Sequence, residues 1–143
     1  MIRPFHIEDT EAMIEIWYAA SIVAHNFVPD DFWEREKENI RNIYIPLAES
    51  YMYEIEGKPV AFMSLLEDGE VGALFVLPEF QGRGIGRELI LCAADLKGEL
   101  KLGVFRENPK AVGFYEEMGF CKVGEKIEET TGHPLWEMVR KVQ

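Results

Sequence analysis

The sequence predicts an α/β fold: a mixed, mostly antiparallel central sheet flanked by helices, in the order βααβββαβαββ. Three observations predict it. Helical and strand periods of apolar residues alternate along the chain. Three strand-like segments separated by short polar turns form a meander in the middle. A glycine-rich turn then carries a strand end directly into a helix start. With 143 residues, 48 % of them hydrophobic, the chain suits one domain, residues 1–143, around one core rather than disorder.

Residues 2–7 alternate in polarity and read as a strand. Glu8-Asp9-Thr10 offers a cap, and Met13, Ile16, Trp17 and Ala20 then recur on one helical face. Residues 30–47 are rich in charge, with Phe32, Trp33, Ile40 and Ile43 as apolar positions, and predict a second helix ending near Pro46. Residues 51–56 and 60–66 form a hairpin around Gly57-Lys58. Asp68-Gly69 turns the chain again, and 71–77 is a short apolar strand stopped by Pro78. The next helix begins in the glycine-rich turn and runs through Leu89, Ile90 and Ala93. A strand over 100–105, a helix over 108–118 ended by Gly119, and strands over 121–127 and 135–139 complete the order. No linker, repeat or low-complexity stretch interrupts it.

Charge narrows the partners. There are 26 acidic residues against 15 basic ones, a net charge of −11. This disfavours nucleic acid and anionic lipid, which both require a basic face, and favours a cationic partner. No apolar run reaches the roughly 18 residues that span a bilayer. Cys92 and Cys121 match no metal spacing and are too few for a disulfide scaffold. The expectation is a cytoplasmic protein without metal, working as a monomer or homodimer.

The segment from Val76 through Gln81, Gly82, Arg83, Gly84, Ile85, Gly86 and Arg87 to Leu89 carries the most chemistry. Glycines let a backbone adopt left-handed angles and approach a ligand. The first amides of a helix have no internal partners, and with the dipole they attract an anion. Arg83 and Arg87 add positive charge at the same end. The Gly-Lys-Ser/Thr ending of a P-loop is absent, and the turn lies too late in the chain for a dinucleotide fingerprint. A tightly packed helix entry is the plain alternative.

Gln81-Gly82-Arg83-Gly84-Ile85-Gly86 resembles the Gln/Arg-x-x-Gly-x-Gly/Ala signature of the GNAT N-acetyltransferase superfamily, and the preceding Val76-Leu77-Pro78 matches too. A second signature follows. Residues Asn108 to Phe120, which include Ala111, Phe114, Tyr115 and Gly119, resemble the family's Asn-x-x-Ala-x-x-Phe/Leu-Tyr-x-x-x-Gly-Phe. The element order is similar over nearly the whole chain. Within the superfamily, His25-Asn26-Phe27 and the Trp136 region look similar to small bacterial acetyltransferases of unassigned or protein-lysine specificity.

This resemblance implies a GNAT-like fold and an enzyme. Acetyl-CoA would be the acyl donor, and a primary amine would attack it directly in a ternary complex. The turn Gln81–Gly86, with Arg87, would hold the pyrophosphate. The strand over 71–76 would pair with pantetheine, with amides near Phe75 and Val76 polarising the thioester. Tyr115 would protonate the leaving thiolate; a core aromatic beside Phe114 is the alternative. Asn108, seven residues earlier and on the same helical face, would contact the pantetheine arm as well as cap its helix.

On the acceptor side, His25 would handle the amine proton, directly or through a water. Phe27 and Trp33 would line the pocket, while Trp17 is expected in the core. Many family members carry a catalytic glutamate on the central strand. Residues 71–77 have none, which leaves Glu70 and Glu107 as fallback bases and His6 and His133 as lesser candidates. Protein lysine, a protein N-terminus, polyamines and small-molecule amines all remain open as acceptors. The rival is a catalytically silent acyl-CoA-binding regulatory module.

Overall fold

The computed structural model describes residues 1–142, with Ile43 described by its backbone alone. The strands are β1 (Ile2–Pro4), β2 (Glu49–Ile55), β3 (Lys58–Leu65), β4 (Val71–Val76), β5 (Leu100–Phe105), β6 (Cys121–Ile127) and β7 (Pro134–Arg140). The helices are α1 (Thr10–Ala24), α2 (Asp30–Asn39), α3 (Ile45–Leu47), α4 (Ile85–Lys97) and α5 (Pro109–Glu117). The predicted order is present, with local differences that have physical causes.

The first strand stops at Pro4 rather than reaching residue 7. Asp9 accounts for this: its carboxylate accepts the His6 amide at 2.8 Å and both terminal nitrogens of Arg3 at 2.8 Å, drawing the chain into a 3-10 turn over Ile7–Asp9. Asp9 does precede α1, but its side chain makes no capping bond there. The predicted second helix divides into α2, a π-helical turn over Ile40–Tyr44, and α3. Pro46 has no amide hydrogen to give the turn before it, and the wider turn falls directly ahead. Ile43, expected as an apolar position of that helix, lies outside the described side chains. The hairpin turn is Glu56-Gly57, one residue earlier than expected, with both residues left-handed (φ 52° and 79°).

The central sheet is split. β1-β2-β3-β4 form one antiparallel sheet and β5-β7-β6 another. A single parallel bridge, Glu70 to Lys101, joins β4's start to β5. Period-two alternation sends β3 into two cores. Ala61, Met63 and Leu65 meet Leu89, Ile90 and Ala93 of α4 on one face, together with Val112, Met118 and Met138. Phe62 meets Met13, Ile16 and Trp17 of α1 and Trp33 of α2 on the other. The first core, which also takes in Leu100, Leu102 and Val104, holds the two sheets together where they touch, and beyond it β4 and β5 part.

Gly69 closes the joined end. Its φ is +76°, and a Cβ there would lie 2.2 Å from the Glu99 carbonyl oxygen. Gly57 has a similar φ of +79° but open space around it. Gly69→Ala is therefore expected to cost at least about 3 kcal/mol. Gly57→Ala should cost only the left-handed strain of about 1 kcal/mol. Urea midpoints of the two variants check this, and equal shifts would contradict it.

Candidate active site

β4 ends where Leu77 donates to the Val60 carbonyl (2.9 Å), and Pro78–Phe80 make a 3-10 turn. Gln81 Nε2 donates back to the Val76 carbonyl at 3.1 Å, folding the chain over the strand end. Gly82 and Gly84 both take left-handed angles, φ 79° and 83°. Gly84 is the cap residue of α4, so no side chain occupies the helix's first amides. The turn thus presents open N–H groups and the positive end of a helix of 13 residues.

Gly86 lines the cleft and also serves packing. Its φ is unremarkable, but a Cβ would press Phe114 Cζ at 3.1 Å. The missing side chain lets α5 lie against the first turn of α4. Arg87 lines the cleft beside the turn. Arg83 does not: its guanidinium lies over Phe80 (4.9 Å) and donates to the Glu79 carbonyl at 3.3 Å. Lys110, which the motif analysis passed over, lines the cleft and donates to Gln81 Oε1 at 3.3 Å. Only knowing that α5 starts against the glycine turn would have singled it out.

From this turn a cleft of about 580 Å³ runs between β4 and β5. Val71 to Val76 form one wall, Leu102 to Phe105 the other, and Asn108, Ala111, Phe114 and Tyr115 of α5 the floor. Phe75 and Val76 both line it, as expected. Asn108 Oδ1 accepts the Ala111 amide at 3.2 Å, a helix cap that holds α5's start in place. Tyr115 follows two turns on, packed by Phe114 and Phe120 at 5.2 and 5.4 Å between ring centroids. Burial raises its phenol well above the ordinary value, so the hydroxyl keeps its proton.

The far end of the cleft is aromatic. His25, Phe105 and Leu135 line it. Phe27 stands one layer back, 5.9 Å from the His25 ring and 5.4 Å from Phe105. Trp33 is a correction: it is buried behind His25 (5.4 Å) and packs edge-on to Trp17 (5.7 Å), so it supports the pocket from the core rather than lining it. Burial pulls His25 down to about 4, and its Nδ1 has no partner among the described residues. Of the fallback bases, Glu70 sits at the joined end of the strands. Glu107 meets His133 at 2.6 Å outside the cleft mouth. Trp136 lies under Arg106 and Lys122, in cation–π contact with both.

Residues 10–120 match the acetyltransferase (GNAT) family. The chain belongs to that family. It is 30 % identical over 138 residues to the peptidyl-lysine N-acetyltransferase YiaC of Escherichia coli strain K12, covering 96 % of this chain and 94 % of that protein. It is 32 % identical over 134 residues to the peptidyl-lysine N-acetyltransferase YjaB of the same strain, covering 93 % and 90 %. The solution structure of apo YjaB superposes with a TM-score of 0.88 at 29 % identity, over 100 % of this chain and 98 % of that one. The GNAT fold seen here is therefore that of an N-acetyltransferase, with acetyl-CoA as the acyl donor. No helix among the described residues is long and apolar enough to cross a membrane.

The lowered His25 value has a consequence for stability. Between about 4 and the ordinary 6.5 the unfolded chain binds a proton there that the folded chain does not. The folded state thus has its full advantage above pH 6.5 and loses it as pH falls toward 4. With partial exposure discounted, the effect is on the order of 2 kcal/mol. His25→Phe should flatten the fall in melting temperature between pH 7 and pH 4.5, read by circular dichroism. An identical fall in both proteins would contradict the burial of the imidazole.

Proposed function

We propose that this chain transfers the acetyl group of acetyl-CoA to the side-chain amine of a protein lysine. One observation carries the reading: one cleft is lined by the bare glycine turn at the start of α4, by Tyr115 and by the aromatic side chains His25 and Phe105. The two peptidyl-lysine acetyltransferases named above support lysine as the acceptor. The net charge of −11 favours a cationic substrate in the same direction. The free thiols Cys92 and Cys121 fit a reducing compartment such as the cytoplasm.

In this mechanism the pyrophosphate rests on the amides from Gly82 to Gly86, with Arg87 and Lys110 adding charge. Arg83 contributes from farther off, since it is held on Phe80. Pantetheine lies along the free edge of β4 as an added strand. Its amides pair near Phe75 and Val76, and Asn108 faces it from the start of α5. The acceptor nitrogen enters through the aromatic end and attacks the thioester carbon directly, because neither cysteine lines the cleft to form an acyl-enzyme. Proximity in the ternary complex supplies much of the acceleration.

When the carbon–sulfur bond breaks, the electron pair leaves on sulfur and Tyr115 supplies a proton. Its raised value does not disqualify it. The thiolate forms in the same water-poor cleft, and burial raises a thiol's proton affinity just as it raises a phenol's. His25 is assigned to shaping the acceptor chamber with Phe27, Trp33 and Phe105. A proton on it would sit buried with no counter-charge beside it among the described residues.

Tyr115→Phe keeps the ring and its packing while removing the proton donor. With a lysine peptide as acceptor and thiol release as the readout, kcat should fall about 10²- to 10⁴-fold, with the acetyl-CoA dissociation constant unchanged. Near-normal turnover would return Tyr115 to a packing role. No turnover by the unaltered chain on lysine peptides, beside turnover of polyamines or small amines, would overturn the lysine acceptor.

A further inference from the structure

The base is the missing part of this chemistry. His25 lines the cleft, but it is enclosed by Phe27, Trp33 and Phe105 with ring centroids at 5.9, 5.4 and 5.0 Å, and no carboxylate among the described residues pairs with it. A second imidazole stands on the outer side of the same wall. His133 precedes β7 directly, and its ring packs on Phe27 at 4.9 Å. Phe27 in turn packs on Phe105, which lines the cleft. Sequence neighbours of the pair line the cleft, while the pair itself stands just outside the lining. Asn108 follows Glu107, and Leu135 lies two residues past His133.

His133 Nδ1 lies 2.6 Å from Glu107 Oε1. A carboxylate at that nitrogen makes it the N–H donor, leaves the lone pair on Nε2, and sets a negative charge behind a ring that gains a proton. Both side chains are half-exposed, at 29 % and 41 %, so a proton taken up there can pass to water. Two charged groups nearby are engaged elsewhere. Glu128 accepts from Thr130 Oγ1 and the Thr131 amide, each at 2.8 Å. Arg106 pairs with Glu125 at 3.0 Å. The loop is also held without the pair, since the Glu128 amide donates to the His133 carbonyl (2.9 Å) and the Arg106 amide to the Pro134 carbonyl (3.0 Å). A staple is therefore not what the Glu107–His133 contact is needed for.

We propose that His133, oriented by Glu107, accepts the proton that the acceptor ammonium loses before it attacks the thioester. The proposal rests on the amine-transfer reading of this cleft. The protons balance. One passes from the acceptor nitrogen at the cleft mouth, through water, to His133 Nε2, and then to solvent. The nitrogen lone pair forms the bond to the carbonyl carbon as the carbon–sulfur bond breaks. The second proton shed by nitrogen replaces the one Tyr115 gives to sulfur. The products are an amide, a free thiol and one released proton.

The test uses the full chain, acetyl-CoA and a lysine peptide that the unaltered chain acetylates. His133→Ala should lower kcat about 10²-fold or more, leave the acetyl-CoA dissociation constant unchanged, and regain at least tenfold in kcat with added imidazole. His133→Asn, which can still donate to Glu107, should show the same loss at an unchanged melting temperature. It decides the matter if the alanine variant does not fold. Glu107→Gln keeps the shape and the contact but not the charge, and should lower kcat about tenfold. Near-normal kcat in the His133 variants overturns the proposal and leaves amine transfer standing. So does a loss that imidazole leaves untouched, which would mark a loop contact only. An unaltered chain that turns over no amine at all overturns both.

Discussion

Gly69 and the Glu99 carbonyl touch so closely that no side chain fits between them, and this contact pins β4 to β5 at one end only. The adjacent Glu70–Lys101 bridge is the whole of their pairing among the described residues. Past it, β4 has β3 on one side and open cleft on the other. A strand edge with unpaired amides is a liability unless something pairs with it. Here the unpaired edge runs from the joined end to the glycine turn that starts α4. The open strand edge, the glycine turn and the helix that floors the cleft are set by where the two sheets stop touching.

The absence of a side chain recurs as the means of building the site. Gly84 leaves the start of α4 bare of any capping side chain, and Gly86 lets Phe114 settle on α4's first turn. That second contact fixes α5, and with it Asn108 and Tyr115, against the cleft. The interior this creates favours neutral groups: the phenol is held protonated and the His25 imidazole deprotonated, both by burial. Charge is kept to the margins: Arg87 and Lys110 stand with the helix dipole by the glycine turn, and the Glu107–His133 pair stands outside the cleft lining. A reaction that begins with an ammonium and passes through a thiolate needs charge handled at those margins and neutrality between them.

Much of this was legible in the sequence because it depends on local backbone rules. Gly82 and Gly84 announce left-handed turns ahead of a helix, and the seven-residue spacing of Asn108 and Tyr115 places both on one face of α5. The alternation in 51–76 announces the meander. What was not legible depends on contacts between distant segments. Strand patterning cannot say that β4 and β5 run side by side yet barely pair; that follows from Gly69 meeting Glu99. Lys110 reads as one surface lysine among many until α5 is laid against the turn. Trp33 reads as a pocket aromatic until Trp17 and His25 are seen to enclose it. Asp9 looks like a helix cap, but Arg3 claims its carboxylate first, and the bidentate ion pair outcompetes a single capping bond.

The central claim is that acetyl-CoA completes the open edge of β4. Amide hydrogen exchange, followed with and without acetyl-CoA, tests it most directly. The account predicts slowed exchange across Val71–Val76 together with the turn at 82–87, and no change in α2. Slowing confined to the turn, with β4 exchanging as before, would contradict it and place the thioester elsewhere.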